Sequence, residues 1–471
     1  MEQVRRLTRR RFIGLSALVG ATGVIAACGA TPTEQAAGQP TAAATSAATT
    51  ASTAAPAAVA TAVEIRWGDW PDMVGTKEAI EQFQADNPGV TITFEPFGDN
   101  FDQKLMAQCV AGTAPDMMSL YGSIFFAFAD KGQLLDLRPM VESNMTDADR
   151  GDFFAWHWPD GFTVPETREV VGLPWKINVG CILYNRDAFD EIALPYPDET
   201  WDHTDYAEAI IKLLKTDASG KVERFGGLMH PADWDRFQQH VLAFGGHVVD
   251  PKDRTKCLLG SDEAQEGLEW IRKLLWDDKA LMPSTELDAL GGVGSTFVQG
   301  KCGIYEGMLN AIADHIMPAA EQSPATIKWN VMHEPKGPAG RFTLGSTDGW
   351  AIYRKAKNPD WAWKFTYFLT QDFFQKMNVI DWQNQLAPRR SQFKLFEDSV
   401  VAPWKEKGVD MSIFTQAMEM DYPRPAESFV KQQESQVVIQ EILDKVYVSG
   451  GTPVSAFATA CEKVDALHQS A

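Results

Sequence analysis

The sequence lacks the features that mark several large classes of protein. Its N-terminal uncharged run, residues 12–27, has 16 residues and three glycines, short of the roughly 20 apolar residues that a membrane-spanning helix needs. No HExxH, GxSxG, Walker, GxGxxG or calcium-loop motif occurs. The eight histidines are scattered, without Cys or acidic partners at metal-ligand spacing. The sequence therefore predicts neither a metal site nor a cofactor.

Basic residues are also few. The 471-residue chain has 43 Lys and Arg against 63 Asp and Glu. Without residues 1–27, which hold five Arg and one Glu, 38 basic and 62 acidic residues remain, a net charge of −24. Nucleic-acid binding needs a basic surface, so that class is excluded. Net charge of this sign mostly governs solubility and does not select a ligand.

Cysteine is sparse and irregularly placed. Five follow Cys28: Cys109, Cys181, Cys257, Cys302 and Cys461. An odd number at wide spacing, with no CxxC, indicates neither a zinc site nor a disulfide framework. We expect at least one free thiol, with most of the others acting as small core residues.

The N-terminus does carry a strong pattern. The segment "TRRRFIGLSALVGATGVIAAC" places arginines before an uncharged run and small residues before Cys28, the order of an export signal. Residues 8–13 resemble a twin-arginine signal, and residues 25–28 resemble a lipoprotein processing box. We expect residues 1–27 to be removed as a signal peptide and Cys28 to be lipidated. An ordinary secretory signal with a chance Cys is the alternative.

A low-complexity segment follows the expected lipidation site. Residues 29–62 are almost entirely Ala, Thr, Ser, Pro, Gly and Gln, with one charge. Such a composition cannot bury enough apolar surface to offset the entropy of ordering, so residues 28–62 are predicted to be a lipidated Cys and a flexible tether. The predicted localisation is the outer face of the cytoplasmic membrane, where the tether would carry either a receptor or an enzyme.

From residue 63 onward, strand and helix patterns alternate. "VEIRW" and "GVTITFEPF" alternate polar and apolar residues, and residues 76–88 between them place Ala79, Ile80 and Phe83 on one helical stripe. A further helix near 100–111 precedes the short strand "PDMMSLY". This order predicts βαβ units on mainly parallel sheets, and the length predicts two domains.

Later helices follow the same logic. One stripe is predicted from Ala207, Ile210, Ile211 and Leu214, and another helix over residues 262–278. Asn358 is a predicted N-cap, with Pro359 as the first helical residue.

Tryptophan is abundant, with 15 in the chain. Six lie where predicted strands or helices end: Trp67, Trp70, Trp175, Trp234, Trp350 and Trp382. An indole can stack on a sugar ring while nearby carboxylates accept hydrogen bonds from hydroxyl groups. Core packing is the alternative for each of them. Carboxylate pairs for glycoside hydrolysis also remain open, since any chain this acidic contains candidates.

Five segments together resemble a known family. In order they are "IEQFQADNPGVTITFE", "AGTAPDMMSLYGSIFFAFADKGQLLDL", "VVGLPWKINVGCILYNRDAFDEIALPYPDETWDHTDYAEAIIKL", "FVQGKCGIYEGM" and "DGWAIYRKAKNPDWAWKFTYFLT". Residues 63 to about 465 thus resemble the family 1 extracellular solute-binding proteins of ABC importers, a group that includes maltose-binding protein. The resemblance implies a binding protein and not an enzyme.

The resemblance implies an α/β, two-lobe periplasmic-binding-protein (Venus-flytrap) fold. Each lobe would be a mainly parallel sheet flanked by helices, with the ligand cleft between the lobes. The expected N-terminal lobe spans 63–177 and 346–400, and the C-terminal lobe spans 178–345 and 401–471. "GLPWKINVGCILYNRDAF", residues 172–189, would contain the first crossing between lobes.

Carried over residue by residue, the family's ligand-binding positions fall on Trp67, Asp69, Trp70, Asp72, Tyr121, Ser123, Trp175, Asn178, Trp234, Asp348, Gly349, Trp350 and Arg389. The frequent G-x-W of the family is here Gly307-Met308-Leu309, so Glu306 or Met308 is expected to contact ligand instead. Asp116 is expected to cap backbone N–H groups rather than to bind ligand.

The expected ligand is a carbohydrate, an oligosaccharide above all. A polyamine caged by Asp69, Asp72, Glu306 and Asp348 is an alternative, as is a glycerol-phosphate-type ligand. Iron is disfavoured because no Tyr-Tyr pair occurs. The expected partners are ABC permease transmembrane subunits and the membrane, through the lipid on Cys28, with the chain a monomer. A receptor feeding a sensor and a tethered glycan-degrading enzyme are the remaining alternatives.

Overall fold

The computed structural model describes residues 62–469, apart from 72, 99, 324–325 and 382–384. The signal peptide, Cys28, nearly all of the tether, Asp72 and Trp382 lie outside the described residues. The strands are β1 Val63–Asp69, β2 Val90–Pro96, β3 Met117–Leu120, β4 Leu173–Lys176, β5 Gly180–Asn185, β6 Lys215–Thr216, β7 Val222–Leu228, β8 Val249–Asp250, β9 Asp253–Cys257, β10 Cys302–Met308, β11 Trp329–Met332, β12 Thr343–Leu344, β13 Asp348–Ile352 and β14 Pro423–Arg424.

The helices surround these strands. They are α1 Thr76–Asp86, α2 Phe101–Ala111, α3 Ser123–Asp130, α4 Arg138–Asn144, α5 Asp147–Gly151, α6 Arg186–Glu191, α7 His203–Leu213, α8 Gln238–Ala243, α9 Asp262–Arg272, α10 Ser284–Ala289, α11 Val293–Val298, α12 Leu309–Ala311, α13 Met317–Gln322, α14 Pro359–Leu369, α15 Asp372–Gln375, α16 Phe393–Phe396, α17 Ala402–Glu406, α18 Ile413–Glu419, α19 Gln432–Leu443 and α20 Ala456–Gln469.

Two five-stranded sheets define two lobes. The first lobe is built on the order β2-β1-β3-β13-β4, and the second on β11-β5-β10-β7-β6. The predicted parallel pairing holds for β2, β1 and β3 and for β7 with β10. By contrast, β4, β5, β11 and β13 pair antiparallel with their neighbours. Both sheets are therefore mixed: β13 in the first sheet and β5 and β6 in the second run against the parallel strands, whereas β4 and β11 run with them.

The second sheet is covered on both faces. Along β5, Cys181 and Leu183 pack into one apolar cluster, whereas Ile182 and Tyr184 pack into another. This split follows from the two-residue period of a strand. An apolar run without alternation, as in "GCILY", is typical of a strand buried on both faces.

The segment "LPWKINVGCILYN" joins the two sheets, as the resemblance implies. Its residues 173–176 form β4 in the first sheet, and residues 180–185 form β5 in the second. Between them, Ile177 pairs with Leu386 and Val179 with Gly345. A Cβ on Gly180 would lie 2.3 Å from Thr343 Oγ1, so glycine is required where this crossing meets β12. Asn185 then caps α6, its Oδ1 accepting a hydrogen bond from Ala188 N at 3.1 Å.

Two local predictions need correction. The buried face of α7 consists of His203, Tyr206, Ala209, Ile210 and Leu213, whereas Ile211 is 41% exposed. The predicted apolar stripe was therefore rotated about the helix axis, because it left out Tyr206 and Ala209. Pro359 does occupy the first turn of α14, but the side chain of Asn358 makes no capping bond. It donates instead to Glu64 O at 3.3 Å.

The lobes have separate apolar cores. Between 386 and 400, the side chains of Phe393, Phe396 and Val400 pack in a cluster made mostly of second-lobe residues such as Val179 and Leu183, together with Phe154 and Ile177. The predicted lobe limits stay a prediction, and this packing favours ending the first lobe near Leu386. No helix in the described part of the chain is long and apolar enough to cross a membrane.

A disulfide joins Cys257 of β9 to Cys461 of α20, a pairing that the irregular spacing of the cysteines left open. The residues lie 204 positions apart, and no local spacing announces such a contact. Cys109, Cys181 and Cys302 are free and buried, as predicted for core residues. Burial raises the pKa of each of these three thiols, to about 12 for Cys109.

Candidate functional site

Asp69, at the end of β1, organises two tryptophans of the first lobe. Its Oδ2 accepts hydrogen bonds from Trp67 Nε1 at 3.0 Å and from Trp350 Nε1 at 2.8 Å. Its Oδ1 accepts one from Trp70 N at 2.8 Å. Burial raises the pKa of Asp69 to about 6, although these three donors oppose the rise. The structure thus places Trp67, Asp69 and Trp350 together, in the interior of the first lobe.

Trp175 belongs to the same assembly. Its ring stacks on Trp350 with centroids 5.5 Å apart, and its Nε1 donates to Asn378 Oδ1 at 2.6 Å. The ring is 2% exposed, and Lys176 Nζ lies 3.8 Å from its centroid. Both faces of the indole are therefore covered, which makes core packing the role that the contacts support.

A polar cluster links the first crossing to a second one, residues 345–347, which leads from β12 into β13 of the first sheet; the two crossings together form the hinge. Asn178 Nδ2 donates to Asn310 Oδ1 at 2.9 Å, and Asn310 N donates back to Asn178 Oδ1 at 3.1 Å. Asn178 N donates to Ser346 Oγ at 2.9 Å, and that hydroxyl donates to Asp348 Oδ2 at 3.1 Å. Met308 Sδ lies 3.5 Å from Asn178 Nδ2. Asn178, Met308 and Asp348 are thus brought together at the hinge, where burial raises the pKa of Asp348.

A cavity of about 360 Å³ opens between the lobes. The first lobe contributes Asp102, Tyr121 and Ser123, and the second contributes Trp234 and Asp235. Its other polar lining consists of three glutamines of α19: Gln432, Gln433 and Gln436. The structure therefore joins Trp234 to Tyr121 and Ser123, so that predicted residues from two distant parts of the sequence line one cavity. We call this the inner cavity.

Aromatic and acidic groups dominate the inner cavity. The Tyr121 side chain is 43% exposed. Partial burial and the carboxylates of Asp102, Asp348 and Asp235 raise the pKa of its hydroxyl. Trp234 packs on Phe237 and Phe429, and no group in the described residues accepts a bond from its indole N–H. Carboxylates and amides beside aromatic faces are the groups that hold hydroxylated rings.

A second cavity of about 370 Å³ adjoins the first, since both are lined by Gly122 and Ala426. Trp156, Thr163 and Thr347 line it, together with Arg254 and three acidic residues, Asp160, Asp250 and Glu427. We call this the outer cavity. Because the two cavities share two lining residues, they form one elongated cleft.

Arg254 of β9 bridges the lobes at the edge of the outer cavity. It is held in the second lobe by Ser428 O at 3.0 Å and Phe429 O at 3.1 Å. From there it donates to Glu166 Oε2 at 2.8 Å, and its Nη2 lies 3.5 Å from Asp130 Oδ2. The guanidinium also lies 4.9 Å from the ring centroid of Phe126. The side chain is 8% exposed, so this contact stabilises the approach of the two lobes.

Glu306 lies inside the second lobe. Gln239 Nε2 donates to its Oε1 at 2.8 Å, and His240 Nε2 lies 2.9 Å from its Oε2. Gln239 Oε1 in turn accepts from Leu344 N at 3.0 Å, so the network reaches the hinge strand β12. Nearby Glu334 is buried, and both burial and the Glu306 charge raise its pKa well above the ordinary range. Glu306 therefore contacts the hinge network, and its predicted ligand contact stays a prediction.

Arg389 lies apart from the cleft cavities. It donates to Thr370 O and Thr370 Oγ1, both at 3.2 Å, and its Nη1 lies 3.5 Å from Asp152 Oδ2. The guanidinium also packs 4.4 Å from the ring centroid of Phe153. These contacts give Arg389 a structural role in the first lobe. Gly349 has a steric role, since a Cβ there would lie 2.4 Å from Leu173 O.

Asp116 caps backbone groups, as predicted. Its Oδ2 accepts from Arg66 N at 2.9 Å and its Oδ1 accepts from Lys357 N at 3.1 Å. Within the described ranges, no group of three His, Cys, Asp or Glu side chains could hold a metal ion. The sequence reasoning missed Asp102, Trp156, Asp235 and the glutamines of α19, because nothing in a local pattern shows which face of the cleft a helix or loop meets.

Two mixed α/β lobes, two crossings and a cleft lined from both sides define a two-lobe binding protein. Residues 67–372 match the bacterial extracellular solute-binding protein family. The chain belongs to this family.

Relatives of known sequence or structure agree with this assignment. A binding protein of Brucella abortus is 25% identical over 396 residues, which cover 83% of this chain and 89% of the relative. An ABC substrate-binding protein from Listeria monocytogenes, solved with cycloalternan, superposes with a TM-score of 0.70 at 20% identity, covering 86% of this chain and 99% of the other. UgpB from Mycobacterium tuberculosis, solved with glycerophosphocholine, superposes with a TM-score of 0.68 at 17% identity. The superposition covers 86% of this chain and 98% of UgpB. The structures confirm the two-lobe fold.

Proposed function

We propose that the protein is the substrate-binding lipoprotein of an ABC importer and captures a carbohydrate, an oligosaccharide above all, between its lobes. The elongated cleft carries this proposal. Its inner and outer cavities, about 360 and 370 Å³, place Tyr121, Trp156 and Trp234 beside carboxylates and amides. Ring faces and hydroxyl groups of linked sugars fit such a lining. The cycloalternan bound by the Listeria protein supports a sugar.

The ligand would touch both lobes and so favour the closed form through its higher affinity for that form. The first lobe would span 63–177 and 346–400, and the second lobe 178–345 and 401–471. Alternatively, the second segment of the first lobe would end near Leu386. Permease transmembrane subunits would receive the closed receptor, a monomer held at the membrane by a lipid on Cys28 after a twin-arginine signal. Mass spectrometry of the membrane-extracted protein tests this anchor, because the expected N-terminal peptide begins with a lipidated Cys28.

A second candidate ligand carries an ammonium group. The inner cavity is lined by two carboxylates, Asp102 and Asp235, and by no Lys or Arg among its described lining residues. Trp234 and Tyr121 beside these carboxylates are groups that cage a polyamine or a choline head. The glycerophosphocholine bound by UgpB is consistent with this chemistry.

A thermal-shift screen separates the candidates. A ligand that binds only the folded protein raises its stability by RT ln(1 + [L]/Kd). We expect a shift with maltooligosaccharides or other linked sugars and none with spermidine or glycerophosphocholine. A shift with spermidine alone would replace the carbohydrate by an amine. Release of reducing sugar from any glycan that binds would instead support the tethered enzyme.

A further inference from the structure

A separate pocket lies at the end of the second sheet that is remote from the hinge. At the hinge end Gly180 of β5 pairs with Met308, and at the other end Asn185 pairs with Trp329 of β11. The six residues of β5 span about 17–20 Å. The pocket beside Trp329 is thus well removed from the cleft, so its occupancy can be tested independently of the proposed function. We call it the far-end pocket.

The lining of the far-end pocket is apolar with a cationic rim. It measures about 440 Å³, within the usual range for small-ligand sites. Its lining residues are Ile316, Met317, Ala320, Ile327, Trp329, Trp404 and Val409, with Arg186, Lys328 and Lys407 as the charged members. Among these described lining residues there is no carboxylate, although the chain has 63 acidic residues and 43 basic ones. The pocket therefore has a positive lining in a chain whose net charge is negative.

The three cations of the pocket lie outside the ion pairs of the described residues. None of them makes an ion pair with another described residue, in contrast to the many Lys and Arg side chains elsewhere that do. The Asp187 carboxylate is engaged with Lys328 N at 2.9 Å. Lys407 Nζ lies 4.4 Å from the centroid of the Trp404 ring, and Arg186 Cζ lies 5.2 Å from that of Tyr196. Both cations thus lie against aromatic rings and not in an ion pair. The Tyr196 side chain and the nearby Asp190 carboxylate raise the pKa of the Arg186 guanidinium, so the two lysines carry most of the available charge.

The apolar members form the floor. Trp329 and Trp404 lie with ring centroids 5.5 Å apart and planes tilted by 55°, and Ile316 and Met317 continue the apolar surface along the helix that ends in α13. An apolar floor attracts a hydrocarbon or ring body. Lysine and arginine at the rim form charge-assisted hydrogen bonds with carboxylate or phosphate oxygens.

We propose that the far-end pocket binds an amphiphilic anion, with its phosphate or carboxylate head at Lys328, Lys407 and Arg186 and its apolar body over Trp329 and Trp404. A free amphiphile and the head of an anionic lipid share this chemistry. Neither need involve the interlobe cleft.

Calorimetric titration of the full chain with octyl phosphate, below its micelle concentration, tests the proposal. We expect saturable 1:1 binding of octyl phosphate. Hexyl phosphate, which has a shorter chain, should bind more weakly, by about fourfold for each methylene that it lacks. Tetraethylene glycol monooctyl ether, a neutral amphiphile with no sugar head to enter the cleft, should bind at least about tenfold more weakly, since it makes no charge-assisted bond. Equal affinity for the two octyl compounds, or no binding of octyl phosphate at millimolar concentration, would overturn the proposal.

Two kinds of variant locate the site. The pair Lys328→Glu and Lys407→Glu reverses the rim charge, and Ala320→Phe fills the floor without changing charge; each should weaken octyl phosphate binding at least about tenfold. Lys221→Glu with Lys463→Glu is the matched control, because both lysines are exposed and lie outside the pocket. Circular dichroism melts confirm that each variant folds. Binding that survives both kinds of pocket variant would place the ligand elsewhere and contradict the assignment.

Sedimentation with vesicles separates the two sources of the anion. Binding to phosphatidylglycerol vesicles, but not to phosphatidylcholine vesicles, that is lost with the lysine pair identifies a lipid head as the occupant. Octyl phosphate binding without vesicle binding identifies a free amphiphile. Vesicle binding that persists in the Lys328→Glu, Lys407→Glu double variant would show that the lipid binds elsewhere and would contradict the proposal.

Discussion

Arg254 Nη1 lies 2.8 Å from Glu166 Oε2, which pairs a strand of the second lobe with a loop of the first lobe across the cleft. Arg254 is anchored in its own lobe by two backbone carbonyls. Opening the cleft would separate Arg254 from Glu166 and Asp130 while those two anchors stay in place. The pair therefore acts on the balance between open and closed forms rather than on the folding of either lobe.

Replacing Arg254 by Ala should weaken ligand binding about tenfold, because the closed form loses its bridge; the half-exposed Glu166 limits the effect. Calorimetry with the ligand found by screening measures the loss, and X-ray scattering of the free protein should show a larger radius of gyration. Arg138→Ala is the control, since Arg138 pairs with Asp136 within the first lobe. Equal losses in the two variants would show that Arg254 has no special role in closure.

The buried Asp69 should give the protein a pH dependence of stability. Its pKa is raised from an ordinary 3.8 to about 6. The folded state therefore binds more protons than the unfolded state between about pH 4 and 6, and the free energy of unfolding from this group falls as pH rises through that window. The change is of the order of 2–3 kcal/mol.

Asp69→Asn removes this titration. It also replaces one carboxylate oxygen, an acceptor, by an NH₂ donor that faces other N–H donors, so the variant should be less stable by about 1–3 kcal/mol. Its deficit should be largest near pH 4 and shrink toward pH 7. Urea unfolding at several pH values measures both curves. Asp130→Asn serves for comparison, since burial raises the pKa of Asp130 to about 6 as well. Parallel curves for wild type and Asp69→Asn would refute the assignment of the slope to Asp69.

Trp175 and Trp234 should respond differently to truncation. Trp175→Ala removes a ring stacked on Trp350 and should cost about 3–5 kcal/mol of stability. Trp234→Ala should abolish the thermal shift caused by the ligand, with a smaller loss in the free protein, because Trp234 lines the inner cavity. Trp234→Phe keeps an aromatic ring, although a smaller one, and removes the indole N–H. Thermal melts with and without ligand measure all three, and a normal ligand response in Trp234→Ala would remove that residue from the site.

Gly180 and Thr343 should be coupled. A methyl group at 180 would meet Thr343 Oγ1 at 2.3 Å, so Gly180→Ala should destabilise the protein by about 1–3 kcal/mol through overpacking. The Thr343 hydroxyl has no hydrogen-bond partner among the described residues, so Thr343→Ala removes the clash at small cost. The double variant should recover at least about 1 kcal/mol relative to additivity in urea unfolding. Additive losses would mean that the crossing relaxes in another way.

The sequence predicted the fold from patterns that are local. The strand at 63–69, the helix at 76–86 and the strand at 90–96 each carry their own period, and the order of five segments indicated two lobes. Among the site residues, Tyr121, Ser123 and Trp234 do meet in the inner cavity.

Other residues were hidden because their roles depend on distant partners. Trp67, Trp175 and Trp350 carry the same residue type as Trp234, yet hydrogen bonds to Asp69 and Asn378 turn them into the first lobe. Gln432, Gln433 and Gln436 lie on an ordinary amphipathic helix, and only its packing against α3 brings them to the cleft. Periodicity cannot show which end or face of an element will meet another lobe.

The bond between Cys257 and Cys461 ties β9 to α20 across 204 positions of the chain. Because Cys461 lies in α20, Ala456–Gln469, a chain that stops before residue 461 cannot form the bond. Disulfides of this kind form in oxidising compartments. The other three thiols are buried with raised pKa values, which leaves little thiolate to form wrong pairs. A protease digest in which the Cys257 and Cys461 peptides stay linked until a reductant is added would thus report that a molecule extends past residue 461, is oxidised and is correctly paired.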